Sequence, residues 1–184
     1  ALMNRGMDQA DLGNFQEAIS DQTAAMKLSP NSADPLRNRG FAHFMNQSFE
    51  AAAEDFQKAC ELAPGDEDYL RLYLFLDQAR AEKSETAAQD LAGFLDEEGA
   101  DSDWVETLGR FLLRQIDNAG LHEAVNTYQD GDTMASLQAR VCEARYFVGA
   151  NHLLNGNQEA AVASFQLVVA AGLCLLGPLL PHSL

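Results

Sequence analysis

A spacing of 34 residues between matching positions is the feature that most restricts how this chain can fold. The tripeptide Asn4-Arg5-Gly6 returns as Asn38-Arg39-Gly40. Five further matches have the same spacing: Phe15 with Phe49, Ala18 with Ala52, Ala25 with Ala59, Leu28 with Leu62, and Pro30 with Pro64. A period of this length predicts stacked copies of one supersecondary unit, each burying its apolar face against its neighbours.

The residue types at the matching positions favour a pair of α-helices in each unit. Gly6 and Gly40 fall in the middle of helical segments, where glycine costs roughly 1 kcal/mol, so we expect close helix packing to offset that cost. Ala18 has the same expected role on the second helix. Pro30 disfavours the α region for Ser29 and thereby ends the pair. A 34-residue helix–turn–helix unit with glycine, alanine, an aromatic residue and proline at these places resembles the tetratricopeptide repeat (TPR).

The rest of the chain divides into units of unequal regularity. We predict repeats over residues 1–34 and 35–67, a degenerate repeat over 68–98, an irregular helical stretch over 101–130, and a last repeat over 132–172. Gly149 stands in the last repeat where Gly6 stands in the first. The predicted fold class is therefore all-α, with TPR helix–turn–helix repeats in a right-handed superhelical solenoid of about ten helices.

Residues 173–184 form an apolar tail after this predicted solenoid. Pro178 and Pro181 exclude a capping helix there, although the end of a solenoid normally has a cap with a polar outer face. We expect the tail either to fold back over Phe165 and Val169 of its own last repeat or to enter a groove on a second copy of the chain. An apolar segment of this kind favours the second copy.

The charge balance restricts the class of partner. The chain has 184 residues, with 28 acidic and 12 basic ones, and a formal net charge of −16. Such a surface repels phosphate backbones and anionic lipid head groups, so nucleic acid is not an expected partner. The charge serves either solubility or the steering of a basic partner. The most apolar run, residues 167–180, is interrupted by two glycines and a proline, so no membrane span is predicted.

Neither the cysteines nor the histidines suggest a catalytic or metal site. Cys60, Cys142 and Cys174 form no C-x-x-C pair, so we expect no disulfide framework and no zinc site. The segment from His122 to Asn126 approaches H-E-x-x-H, but Asn126 replaces the second histidine ligand. No phosphate-binding loop or G-x-S-x-G motif is present. We therefore predict a protein that is not an enzyme and has no cofactor.

Four stretches give a closer family resemblance. They are LRNRGFAHF from residue 36, YLRLYLFLDQA from 69, DWVETLGRFLLRQ from 103, and CEARYFVGANHLLNGNQEAAVASFQLVVAAG from 142. From about residue 33 to residue 172 the chain resembles the NlpI-type TPR lipoproteins of bacterial envelopes. The resemblance implies a lipid-anchored periplasmic adaptor that docks peptidoglycan-trimming hydrolases and a protease, and that is often dimeric. Without it, a cytoplasmic location is the alternative.

Two features bear on how far that resemblance extends. Ala1 falls inside a repeat, so we expect the chain to be part of a longer protein and the lipidated cysteine of the family to lie outside it. The tail after Gly172 is apolar, whereas the family continues into a polar helix. Contacts made by the final helices of the family are therefore not carried over to this chain.

The first helices of TPR units line the concave face, which is the usual binding groove. The register set by Gly6 and Gly40 gives the candidate concave residues. They are Met3, Met7, Arg37, Phe41, Phe44, Met45, Arg71 and Phe75. Two interpretations remain open. The aromatic residues form core, or they form an exposed groove in which methionine adapts to apolar partners and arginine binds carboxylates.

Two functions follow from these patterns. The first is a protein-interaction scaffold that holds a peptide or protein in the concave groove, with an envelope adaptor as the specific form that the resemblance implies. The second is a structural module that assembles with copies of itself, as a homodimer or larger oligomer, and has no separate ligand.

Overall fold

The computed structural model describes residues 1–63, 68–98, 103–127 and 133–170, and these ranges are helical apart from short turns. The helices are α1 Leu2–Asp11, α2 Phe15–Leu28, α3 Ala33–Met45, α4 Phe49–Leu62, α5 Asp68–Arg80, α6 Ser84–Gly93, α7 Asp103–Leu112, α8 Asn118–Asn126, α9 Met134–Leu154 and α10 Gln158–Ala170. A π-helical turn, Phe94–Glu98, follows α6. The described ranges contain no strand, and the predicted all-α class of helical repeats is confirmed.

The helices form two compact units. In unit 1, α1 packs on α2, α3 on α4, and α5 on α6, while α2 against α3 and α4 against α5 join successive pairs. In unit 2, α9 packs on α10, and α7 and α8 pack against each other and against α9. The sequence predicted one continuous array. The two units are separated in sequence by the acidic stretch that follows α6, where the 34-residue period is not found.

Within a helix pair, a glycine on the first helix faces a large side chain 16 residues later on the second. A Cβ atom on Gly40 would lie 2.5 Å from Cε1 of Phe56, and one on Gly149 would lie 2.7 Å from Cε1 of Phe165. Real Cβ atoms do not approach carbon atoms so closely, so only glycine allows these helices their observed separation. The predicted reason for the mid-helix glycines is confirmed.

The other two pairs vary this arrangement. Gly6 faces Gln22, whose amide nitrogen donates a 2.9 Å hydrogen bond to the backbone oxygen of Met3. In the third pair the sizes are reversed, because Leu74 replaces the glycine and Asp90 replaces the aromatic residue. The third repeat therefore differs from the others at the contact that sets the distance between its two helices.

Helix α5 is a core helix. Its residues from Leu72 to Gln78 are all buried, and seven consecutive residues cover every side of an α-helix. A helix that is buried all round has a core position rather than one at a solvent boundary. At its end, the guanidinium carbon of Arg80 lies 5.2 Å from the ring centre of Phe44 and 5.0 Å from that of Phe49.

Asp77 is an uncompensated acid in this core helix. Its side chain is fully buried, and neither carboxylate oxygen has a hydrogen-bond partner. Burial raises the pKa of Asp77 to about 8, and the positive charge of Arg80 offsets only part of that increase. Below that pH the folded protein therefore holds Asp77 as the neutral acid.

Several local features add detail to the predicted organisation. Within the stretch 101–130, which was predicted to be irregular and helical, α7 ends at Leu112 and α8 begins at Asn118. The acidic segment that starts at Asp96 begins inside the π-helical turn. Helix α9 begins at Met134, where Thr133 and Ser136 form a reciprocal capping box. The tail at 173–184 lies outside the described residues.

We predict that Gly40→Ala destabilises unit 1 by about 1–3 kcal/mol, because the new methyl group must displace the Phe56 ring or the helix backbone. Urea unfolding of the full chain measures the effect. Gly93→Ala is the matched control, since a Cβ atom there meets nothing within 4 Å. Equal midpoints for the two variants would show that the spacing between α3 and α4 does not depend on Gly40.

We predict that Asp77→Asn stabilises the protein at neutral and higher pH. The folded-state pKa of about 8 lies above the ordinary aspartate value of 3.8, so the unfolded chain releases its proton first. Stability of the native chain should fall as pH rises from about 4 to about 8, by at most about 1.4 kcal/mol per pH unit, and Asp77→Asn should remove that slope. Urea unfolding across this range measures it, with the exposed Asp8→Asn as control. A slope that survives Asp77→Asn would contradict the assignment.

Candidate functional site

Four of the predicted concave residues lie on two neighbouring helices. Met3 and Met7 belong to α1, Phe41 and Met45 belong to α3, and α1 contacts α3. Met7 is 48% exposed and the other three are half-buried. We call these four residues, with Arg37, the α1–α3 face. It presents accessible thioether and aromatic surface.

Phe41 is both part of this face and part of the core. Its ring makes edge contacts with Phe56 and Tyr73, with ring centres 4.9 Å and 5.2 Å apart. Such edge-to-face pairs contribute roughly 0.5–1.5 kcal/mol beyond the buried area. The outer part of the Phe41 ring is therefore presented on a rigid support.

The expectation that Phe44 and Phe75 are exposed in a groove is wrong. Phe44 is only 5% exposed, because its ring packs against Phe49 and Tyr73 and Arg80 covers it. Phe75 is 8% exposed, because it belongs to the core helix α5. At these two positions the interpretation as core is correct.

The two arginines on the predicted face occupy different surroundings. Arg37 pairs with Asp34 one turn earlier on α3, at 2.6 Å between Nη2 and Oδ1. Arg71 lies against the second helices of the repeats, with its guanidinium carbon 5.2 Å from the ring centre of Phe94. Equivalent positions in the period therefore have different contacts, because the helix pair around Arg71 is the degenerate one.

A repeated ion pair, which was not predicted from the sequence, connects the two helices of a pair. Arg5 binds Asp21 through two hydrogen bonds of 2.5 and 2.6 Å, and Arg39 binds Asp55 through two of 2.6 and 2.8 Å. Arg39 also donates to Oγ1 of Thr23 on the preceding pair, at 3.1 Å. In both ion pairs the aspartate follows the arginine by 16 residues, and the second ion pair lies 34 residues after the first. This recurrence in the sequence is the signal that could have revealed the ion pairs.

These ion pairs have electrostatic consequences. The hydrogen bonds from Arg5 lower the pKa of Asp21 below its usual range. His43 lies beside the second pair, with its Nε2 atom 4.0 Å from Oδ2 of Asp55. Burial is the main cause that lowers the pKa of His43, and its Nδ1 atom is buried without a hydrogen-bond partner. His43 is therefore a packed neutral side chain at neutral pH.

A second concave feature lies in unit 1, between α4, α5 and α6. This pocket has a volume of about 350 Å³. Its walls include Gln57, Glu61, Arg71, Leu74, Asp90 and Phe94. We call it the α5 pocket. Unlike the α1–α3 face, it is lined mostly by polar and charged side chains.

Neither a group of metal ligands nor a membrane-spanning helix is found in the described ranges. No three histidine, cysteine or carboxylate side chains in those ranges are grouped so that they could hold a metal ion. No described helix has both the length and the apolar character needed to cross a membrane.

Comparison with known proteins agrees with the repeat geometry. Residues 33–66 match the family model of the tetratricopeptide repeat. A human protein, tetratricopeptide repeat protein 13, is 43% identical over 51 residues, which are 28% of this chain and 6% of that protein. The chain thus spans a small part of that relative, and the likeness concerns the type of repeat. The matched residues contain α3 and α4, the TPR pair with the Gly40–Phe56 contact.

We predict that Arg37→Ala and Arg39→Ala differ in their effect on folding. Arg39 compensates a carboxylate of which only 3% is exposed, so its loss should cost about 2 kcal/mol, somewhat less than for a fully buried pair. Arg37 and Asp34 are 34% and 50% exposed, so Arg37→Ala should cost less than about 1 kcal/mol. Urea unfolding measures both variants. A larger loss for Arg37→Ala would reverse the roles assigned to the two arginines.

Proposed function

We propose that this chain is a non-catalytic scaffold that holds a peptide or protein partner against the α1–α3 face. Repeat proteins of this type use the surface formed by successive helices for extended contacts with a partner. The observation that carries the proposal is the accessible surface of Met7, Phe41 and Met45 on two adjacent first helices. Methionine and aromatic side chains are enriched in protein–protein interfaces.

The chemistry of the face suits an apolar segment with a polar or acidic neighbour. Methionine side chains are flexible and polarizable, so they adapt to partners of varied shape. Phe41 supplies a fixed aromatic anchor, since its other edge is held by Phe56 and Tyr73. Arg37 at the same face can bind a carboxylate of the partner in exchange for its exposed contact with Asp34.

The resemblance to the NlpI-type lipoproteins supports a specific form of this function. In that form the chain belongs to a periplasmic adaptor, held at the outer membrane by a lipid anchor, and its partners are peptidoglycan hydrolases and a protease. The quoted stretches from α3, α5, α7 and α9–α10 support it, because they occur in the same order as in that family. A homodimer is part of the same proposal.

Self-assembly is the alternative function, and exposed leucines favour it. Leu28 and Leu62, one period apart at the ends of α2 and α4, are 75% and 44% exposed. On α10, Leu167 and Val169 are 53% and 62% exposed. Apolar side chains on repeated positions can form a contact between copies. The apolar tail at 173–184, on which the sequence-based version of this idea rested, lies outside the described residues.

We predict that Met7→Asp weakens the binding of a partner about tenfold or more, since a charge at the centre of an apolar contact is desolvated without compensation. Proteins retained by the immobilised chain, quantified by mass spectrometry, measure the effect. Leu12→Asp is the matched control, because Leu12 is 73% exposed beyond the end of the same helix and outside the face.

Two outcomes separate the functions. Selective loss of retained proteins with Met7→Asp but not Leu12→Asp supports the scaffold. If both variants retain the same proteins as the native chain, the α1–α3 face is not the binding site. Sedimentation over a range of concentrations then tests self-assembly, which predicts an increase in mass that Leu28→Asp and Leu62→Asp prevent.

A further inference from the structure

Sulfur-containing side chains are distributed unevenly between the core and the surface of the described ranges. Three of the five methionines of the chain, Met3, Met7 and Met45, belong to the α1–α3 face. The cysteines within the described ranges, Cys60 and Cys142, are each only 2% exposed. In this part of the chain the thiols are therefore shielded from solvent, and the sulfur that a soluble oxidant can reach is that of methionine.

Met7 is the most accessible member of a row of equivalent positions. Met7, Phe41 and Phe75 follow one another at the 34-residue spacing, on α1, α3 and α5. Met7 is 48% exposed, Phe41 is half-buried, and Phe75 is 8% exposed. The outermost apolar group of the row is thus a thioether, whereas the next two repeats have a phenyl ring. A thioether is oxidised under mild conditions in which a phenyl ring does not react.

A peroxide converts this thioether into a polar group in one step. The sulfur lone pair attacks one oxygen of hydrogen peroxide, so that an S–O bond forms and the O–O bond breaks, and the other oxygen leaves as water. Sulfur loses the two electrons that the peroxide gains, and the product is methionine sulfoxide. The reverse reaction takes two electrons from two thiols, which become a disulfide, and the sulfoxide oxygen leaves as water.

We propose that Met7 is a reversible oxidation site that controls binding at the α1–α3 face. The thioether allows an apolar partner segment to bind, whereas the sulfoxide oxygen would be desolvated against that segment without a hydrogen-bond donor. Met3, one turn before Met7, and Met45 are half-buried and react more slowly. The proposal rests on the proposed function, since it takes this face to be the surface that holds the partner.

The first experiment locates the oxidised residue. The full chain is treated with hydrogen peroxide at neutral pH, and sulfoxide formation is followed by peptide mapping with mass spectrometry. Met7 should react several times faster than the half-buried Met3, Met26 and Met45, and at a rate similar to that of Met134, which is 71% exposed. The urea unfolding midpoint should stay unchanged, because Met7 lies outside the core. Slower oxidation of Met7 than of Met26 would overturn the proposal.

The second experiment measures binding, and its probe is the set of proteins that the native chain retains and Met7→Asp loses. Peroxide should lower their retention by the native chain about tenfold or more, and methionine sulfoxide reductases with dithiothreitol should restore it. Met7→Leu is apolar and of similar volume but has no sulfur, so its retention should be the same before and after peroxide. Met134→Leu is the matched control, because it removes the other highly exposed methionine and should leave the peroxide sensitivity intact.

The possible results separate this proposal from the scaffold function. If the native chain retains the proteins after complete oxidation of Met7, the oxidation site has no control over binding, although the scaffold function stands. An equal loss after peroxide for the native chain and Met7→Leu would assign the sensitivity to another residue and also overturn the proposal. If Met7→Asp loses no proteins, the α1–α3 face is not the binding surface, and both proposals fail.

Discussion

The contact between a small residue in the middle of one helix and a large side chain 16 residues later is the constraint on which the helix pairs depend. With glycine on the first helix, the backbone itself is the surface on which Phe56 or Phe165 packs. The spacing of the pair is then set by one ring rather than by two interdigitating side chains. Glycine costs roughly 1 kcal/mol of helix propensity at each such site, a cost that the burial of a phenylalanine, worth about 1.5–3 kcal/mol, exceeds.

A second set of contacts fixes each pair relative to the next. Arg39 binds Asp55 within its pair and Thr23 on the pair before. Arg80 lies over two phenylalanine rings of the pair before it. Both arginines use a planar guanidinium, which hydrogen bonds along its edge and stacks on its face. Loss of either partner of the Arg39–Asp55 pair alone would leave the other charge without its counterpart at a site where only 3% of the carboxylate side chain is exposed.

The sequence was sufficient for the repeat and insufficient for the exposure of its residues. The 34-residue period, together with the steric demand behind Gly6 and Gly40, predicts the helix pairs and the residues that share a helix face. It does not reveal whether a face is covered, because coverage depends on elements far away in sequence. The burial of Phe44 and Phe75 could not be decided from the pattern for that reason, and nothing in the local pattern indicates the full burial of Asp77.

The third helix pair departs from the packing contact found in the pair formed by α3 and α4. That pair has glycine and phenylalanine at the positions equivalent to Leu74 and Asp90. Leucine and aspartate there give up a ring contact and leave polar groups at the wall of a pocket. Departures of this kind, at one repeat and at the packing contact itself, are expected where a site has been built into a scaffold.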